Sequence, residues 1–242
     1  MNAIKTRGLT KRYGEKTAVD GLDLTVEQGE LFALLGVNGA GKTTTIKMLS
    51  TLLEPTSGEA ELLGRSLSAQ SQEIKQRTNV SPQETAIAQN LTVRENLELL
   101  AGVYGASRRE AKKKATEMIG EFHLQEVEKS RAKTLSGGWQ RRLSIAMALI
   151  SKPEILFLDE PTLGLDVLAR RELWSIIRGL KGKITIILTT HYMEEAASLS
   201  DRIGIMATGK LRICGTVPEL LAAAGKTDFE EAFICLAGGE MQ

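Results

Sequence analysis

Cysteine, histidine and aromatic residues are scarce in this chain of 242 residues, which holds two cysteines, two histidines and 4% phenylalanine, tryptophan and tyrosine together. Cys214 and Cys235 form no C-x-x-C pair, so they are read as small buried or idle residues rather than as a disulfide or a metal site. No stretch approaches the ~18 to 20 apolar residues that cross a bilayer. The opening Met1-Asn-Ala-Ile-Lys-Thr-Arg7 lacks the apolar centre of a signal peptide. A soluble, cytosolic protein is expected. An excess of one charge is missing too, since 31 basic residues face 30 acidic ones for a formal charge of +1. No global field draws the chain to nucleic acid or anionic lipid, and such a partner would need a local patch. The length suits one large domain with a sizeable insertion, and one catalytic core.

Against that background stands Gly36-Val-Asn-Gly-Ala-Gly-Lys-Thr43, which fits the phosphate-binding pattern G-x-x-x-x-G-K-[ST]. It follows the apolar run Leu31 to Leu35, readable as a buried strand, and opens a segment with helical spacing. Glycines let the backbone curl so that successive N–H groups point at phosphate oxygens, and the positive end of the helix adds to them. The candidate contacts are Gly36, Asn38, Gly39, Ala40, Gly41, Lys42, Thr43 and Thr44. Lys42 supplies a cation for the outer phosphates, and the Thr43 hydroxyl supplies a ligand for the accompanying Mg2+. This is the pattern of a nucleoside triphosphate site.

Residues Ala3 to Leu35 alternate with period two, best seen in Leu22, Leu24 and Val26, and predict short antiparallel strands. Tyr13 lies on a polar turn among them, where it is either a platform for a flat base or a tyrosine at the rim of the core. After the glycine-rich loop, Ile46, Leu49, Leu52 and Leu53 predict a helix that runs until Pro55-Thr-Ser-Gly58. A strand near Glu59 to Leu63, a polar stretch and a strand-like approach to Gln83 follow. From Leu91 to Ile150 the signals are almost wholly helical, with capping boxes at Thr92/Glu95 and Ser107/Glu110. Arg108, Arg109, Lys112, Lys113 and Lys114 are read as a solvated helix surface. Strand pattern returns at Ile155 to Leu158 and Ile184 to Leu188, with a helix between them and a hairpin around Thr208-Gly209. A tail helix capped by Asp228 carries the stripe Phe229, Phe233 and Leu236.

Asp159 and Glu160 close the strand at Ile155, and ligands of open parallel sheets bind beyond the carboxyl ends of the strands. Asp159 is placed to hold Mg2+, directly or through water, and Glu160 to polarise an attacking water. His191 also emerges at that edge, either to bond a terminal phosphate or as a structural histidine. Leu135-Ser-Gly-Gly138 opens another helix and makes a second anion-binding terminus. One chain thus carries two phosphate-seeking helix starts for one nucleotide. Unless the fold unites them, the second serves a nucleotide held by another subunit.

With these motifs in this order, the chain resembles the ATP-binding cassette family over essentially its whole length. Gly36 to Thr43 is similar to its phosphate loop, Gln83 to its glutamine loop, Leu135 to Gly138 to its signature sequence and Ile155 to Glu160 to its second nucleotide motif. Gly164-Leu-Asp166 is similar to its aspartate loop, His191 to its switch histidine and Tyr13 to the aromatic that stacks on adenine. Val80 to Glu84, Leu91 to Asn96, Thr190 to Glu195 and the ending Phe229 to Gly239 resemble the exporter group that includes daunorubicin-resistance, nodulation-factor and sodium-efflux type ATPases. Trp139 stands where the family has glutamine after Ser-Gly-Gly, Met147 where it commonly has arginine, and Val37 where proline is frequent.

The resemblance implies an α/β fold: a P-loop NTPase core with a mixed, mainly parallel sheet, an N-terminal antiparallel β subdomain and an inserted α-helical subdomain. Residues 1–83 and 151–227 would form the core, 84–150 the helical subdomain and 228–242 a C-terminal helix and tail. It implies an ATPase with ATP and Mg2+ as cofactors, catalytic Glu160 and His191, and metal contacts from Thr43, Gln83 and Asp159. Tyr13, Ser136, Gly137, Gly138 and Asp166 join the phosphate loop in holding nucleotide. The partners implied are a separate transmembrane permease chain, which would hold the protein at the inner face of the cell membrane, and a second cassette in a head-to-tail dimer. No nucleic acid is expected. Two rival functions fit less well: a soluble cassette acting on ribosomes or DNA, disfavoured by the single cassette and near-neutral charge, and a non-hydrolysing nucleotide sensor, disfavoured by Glu160 and His191.

Overall fold

A computed structural model describes residues 1–238. In chain order its elements begin with β1 (Asn2–Tyr13), β2 (Lys16–Leu22), β3 (Thr25–Glu27), β4 (Leu31–Leu35) and α1 (Lys42–Leu49). They continue with β5 (Ser57–Leu62), β6 (Arg65–Ser66), α2 (Ser71–Arg77), β7 (Thr78–Ser81), α3 (Val93–Val103), α4 (Arg108–Glu121) and α5 (Gly137–Leu149). The last are β8 (Ile155–Asp159), α6 (Val167–Leu180), β9 (Thr185–Thr190), α7 (Met193–Leu199), β10 (Arg202–Ala207), β11 (Lys210–Gly215), α8 (Val217–Ala224) and α9 (Phe229–Leu236).

Two sheets organise these elements. The first, in order β2-β1-β5-β6 with β3 also on β1, is antiparallel. The second runs β11-β10-β4-β9-β8-β7 and is parallel except for the β10–β11 hairpin. Its inner strands β4 and β8 are apolar runs, broken only by Asp159 at the end of β8, because both faces are covered. Alternate residues enter different cores: Leu31, Ala33 and Leu35 of β4 join Leu156, Leu158, Ile186 and Leu188 under the helices, while Phe32, Leu34, Phe157 and Ile187 face α1 and the first sheet. Period-two geometry therefore lets one sheet serve two hydrophobic cores.

The stretch from α3 to α5 is helical, and both expected capping boxes are formed, Thr92 with Glu95 and Ser107 with Glu110. Asp228 caps α9, whose Phe229, Phe233 and Leu236 pack on the core; Gly239 lies outside the described residues. The helix after the glycine-rich loop is shorter than its apolar spacing predicts. Thr51 adopts φ 63°, and the amides of Leu52 and Leu53 turn back to the Lys47 carbonyl at 2.9 and 3.0 Å. That left-handed closure satisfies orphan carbonyls at the helix end, and it leaves Leu52 67% exposed. The polar stretch before β7 contains α2, whose one buried residue, Ile74, was too weak a signal to announce a helix.

Candidate functional site

The second sheet delivers its chemistry at one edge. β4, β8 and β9 run parallel and end at Leu35, Asp159 and Thr190, so the glycine-rich loop, Glu160 and His191 follow from adjacent strand ends. Close approach explains two of the loop's glycines. A Cβ on Gly36 would lie 2.3 Å from the Met206 carbonyl oxygen, and one on Gly41, at φ 104°, would lie 2.6 Å from that of Ala18. Gly41 then opens α1, so the free N–H groups of the first turn face the cavity.

That cavity measures about 670 Å³, and Asn38 to Thr44, Tyr13, Gln83, Glu160 and His191 all line it. Lys42 Nζ donates to the Gly36 carbonyl at 2.6 Å and lies 3.2 Å from Glu160 Oε1. Glu160 Oε2 meets His191 Nδ1 at 2.7 Å. Thr43 Oγ1 donates to Asp159 Oδ1 at 3.0 Å, and Thr189 Oγ1 donates to the same oxygen at 2.6 Å. The Thr189 hydroxyl also accepts the Glu160 amide at 3.1 Å, which holds Glu160 at the unusual φ of 47°. Cation, two carboxylates, hydroxyl and imidazole thus meet in one connected cluster whose carboxylates are almost fully buried. Thr43 Oγ1 and Asp159 are hard oxygen donors at hydrogen-bonding distance, and Gln83 borders the same cavity. These donors fit Mg2+, which takes few protein oxygens and keeps several waters.

Tyr13 ends β1 half-exposed, with Lys16, Thr17 and Ala18 continuing the cavity wall beside it. Ser136, Gly137 and Gly138 do not line this cavity: Ser136 is exposed at the start of α5 and Gly138 backs onto Ala169 of α6. Asp166 is also elsewhere, capping α6 by accepting the Leu168 and Ala169 amides at 2.9 Å each. The second helix start and the aspartate loop lie side by side, apart from the first.

Sequence reasoning missed three contributors. Thr189 reads only as a strand residue, yet its hydroxyl joins both carboxylate positions. Arg141 is 5% exposed and donates to the Pro82 and Gln83 carbonyls at 2.7 and 2.6 Å. Glu195 is wholly buried behind the site and accepts the Trp174 indole N–H at 3.0 Å. Burial pushes the Glu195 carboxyl above its ordinary range, against the hydrogen bond from Trp174.

Comparison with known proteins decides the family: the sequence profile described as ABC transporter matches residues 19–163, more than half of the chain. The chain belongs to the ABC transporter family. Among related ABC proteins, the daunorubicin resistance ATP-binding protein DrrA3 of Streptomyces coeruleorubidus is 42% identical over 92% of this chain and 71% of its own. The daunorubicin/doxorubicin resistance ATP-binding protein DrrA of Streptomyces peucetius is also 42% identical, over 92% of this chain and 68% of its own. The probable multidrug ABC transporter ATP-binding protein YbhF of Escherichia coli is 41% identical over 96% of this chain, which spans 41% of that longer protein. An ATP-binding subunit of an ABC transporter superposes with a TM-score of 0.85 at 29% identity, covering 97% of this chain and 99% of that one. A dimeric ATP-binding cassette in a post-hydrolysis state, bound to ADP and Pi, gives 0.80 at 25% identity, covering 88% and 98%. In ABC terms, this chain is an ATP-binding subunit, and the α/β cassette fold is shared along nearly its whole length. No helix among the described residues is long and apolar enough to cross a membrane.

Proposed function

We propose that this chain hydrolyses Mg-ATP to drive export through a separate membrane-spanning partner. The observation that carries the reading is the convergence of Lys42, Thr43, Glu160 and His191 on one cavity at a glycine-rich helix start, with Asp159 hydrogen-bonded to Thr43 beside it. Gly36 to Thr44 bind the phosphates through backbone N–H groups and Lys42. Tyr13 offers its ring to the base. Thr43, Asp159 and Gln83 would hold Mg2+, which when bound neutralises charge on the phosphate oxygens. Glu160 takes the proton of the attacking water, and His191, bonded to Glu160, orients it and faces the terminal phosphate.

Ser136 to Gly138 complete the site of a second cassette in a head-to-tail dimer, because they lie away from the cavity of their own chain. Asp166 at the adjacent α6 start fixes the same surface. A γ-phosphate between two helix starts holds the pair closed and its loss loosens it. The dimeric relative bound to ADP and Pi supports this arrangement. The drug-resistance names of related proteins support export, and the permease would keep the chain at the inner face of the cytoplasmic membrane.

The test is the size of Glu160→Gln with ATP and with ADP, alone and with the copurifying membrane chain. ATP should trap a dimer that separates in ADP. An assembled complex that hydrolyses ATP at full rate with a single cassette would overturn the composite site.

A further inference from the structure

Arg141 is a cation buried without a carboxylate in hydrogen-bonding contact. Its two terminal nitrogens donate to the consecutive carbonyls of Pro82 and Gln83, at 2.7 and 2.6 Å. One turn further along α5, the Ser144 hydroxyl lies 3.0 Å from that of Ser81, and this pair is also buried. Residues 141 and 144 are three apart and so share a helix face, here turned to the segment from Ser81 to Gln83. Arg142 points another way: it stacks on the Trp139 ring at 4.6 Å and pairs with Glu172 of α6. The two neighbouring arginines therefore fasten α5 on two sides.

The bonds of Arg141 are costly to break. A guanidinium taken out of water needs its N–H groups satisfied, and no water replaces the two carbonyls at a site 5% exposed. Burial lowers its affinity for its proton, while the charges of Asp159 and Glu195 favour the cation. The planar fork also fixes direction as well as distance. Arg141 stands four residues from Gly137, about 6 Å along the helix axis. A rotation or shift of α5 that moves Ser136 to Gly138 must carry the backbone at Gln83 with it.

We propose that Arg141 is a positioning residue that makes the Gln83 loop and the start of α5 move as one body. A change at the cavity sensed by Gln83 thereby reaches the surface that the second cassette meets, and the reverse. This rests on the assignment of Gln83 to the metal side of the site.

Steady-state phosphate release by the purified chain tests it through Arg141→Met, Gln83→Ala and the double variant, with ATP binding measured separately. Arg141→Met should leave ATP affinity near the parent's and lower kcat, by up to about 100-fold if the displacement reaches 1 Å, while raising the Mg2+ concentration needed for half-maximal rate. Arg141→Lys should recover part of the loss, since an ammonium can keep one carbonyl. In the Gln83→Ala background, Arg141→Met should cost less than about twofold, because the two act through one group. Equal losses in both backgrounds, or an unchanged kcat for Arg141→Met, would overturn the inference alone. A parental kcat for Gln83→Ala would overturn the assignment of Gln83 and the inference with it. Should Arg141→Met fail to fold, hydrogen exchange on the unaltered chain decides: a non-hydrolysable ATP analogue with Mg2+ should change protection at residues 83–86 and 137–140 together, and a change at one without the other would overturn the coupling.

Discussion

Lys42 Nζ lies 3.2 Å from Glu160 Oε1, with both side chains more than nine-tenths buried, so the cation assigned to phosphate also faces the carboxylate assigned to water. Phosphate must share Lys42 with Glu160. Removing the Glu160 charge should therefore strengthen ATP binding, by about 1.5 kcal/mol or tenfold, while turnover falls by roughly 10² to 10⁴-fold. Lys42→Ala should do the reverse to affinity, with each lost charge-assisted contact costing ~1.5 to 3 kcal/mol. Titration with a fluorescent ATP analogue measures both. Weaker binding by Glu160→Gln would contradict the competition.

Gly36→Ala should disable the loop without altering its chemistry. The added methyl group would sit 2.3 Å from the Met206 carbonyl oxygen, a backbone atom of β10 that cannot swing aside. Forced repacking of this kind costs about 1 to 3 kcal/mol. Urea unfolding should show that loss, and ATP affinity of the surviving folded protein should drop as the N–H groups leave their places. A variant with parental stability and affinity would show that the contact relaxes freely.

Thr189→Val removes one hydroxyl that donates to Asp159 and accepts from the Glu160 amide. A buried group left unsatisfied costs about 1 to 3 kcal/mol. Stability should fall by that order, and kcat should fall more than ATP affinity because Asp159 loses a donor and the Glu160 amide keeps only the Thr189 carbonyl. Calorimetric melting and a split between kcat and KM check the two halves separately.

Glu195 sets a pH dependence of stability. Its carboxyl is raised above the ordinary 4.5 chiefly by burial, so the folded chain keeps a proton that the unfolded chain releases. The contribution is complete below the unfolded value and is lost as pH rises through the folded one, so stability falls with rising pH in that window. Glu195→Gln keeps the shape and carries no titrating proton. Urea midpoints measured across pH values above 4.5 should decline less in Glu195→Gln than in the parent, and identical slopes would place the dependence on another group.

Local chemistry made much of this legible. The glycine-rich loop, the carboxylates at the end of β8 and the capping boxes are signals within eight residues, and the structure places them as their spacing demands. Signals that depend on helix phase were not readable. Glu194 and Glu195 look alike as acids in the first turn of α7, yet Glu194 is exposed and Glu195 wholly buried, because only packing against α6 and the sheet selects the inward one. Arg141 and Arg142 are both buried, which no signal local to α5 announces. Leu52 erred in the other direction. Its apolar spacing continued the helix, while a left-handed Thr51 had already ended it.

Strand order has a consequence for biosynthesis. β4, which presents the phosphate loop, is hydrogen-bonded between β9 and β10, whose residues come 150 or more positions later in the chain. During synthesis β9 is not complete until Thr190 and β10 not until Ala207, so for most of that time a nascent chain carries the loop on an apolar strand with two unpaired edges. Such pairings close late and leave aggregation-prone surface exposed in the meantime. Truncations that stop before β10 should be handled by the cell as clients of folding helpers rather than as smaller nucleotide-binding proteins.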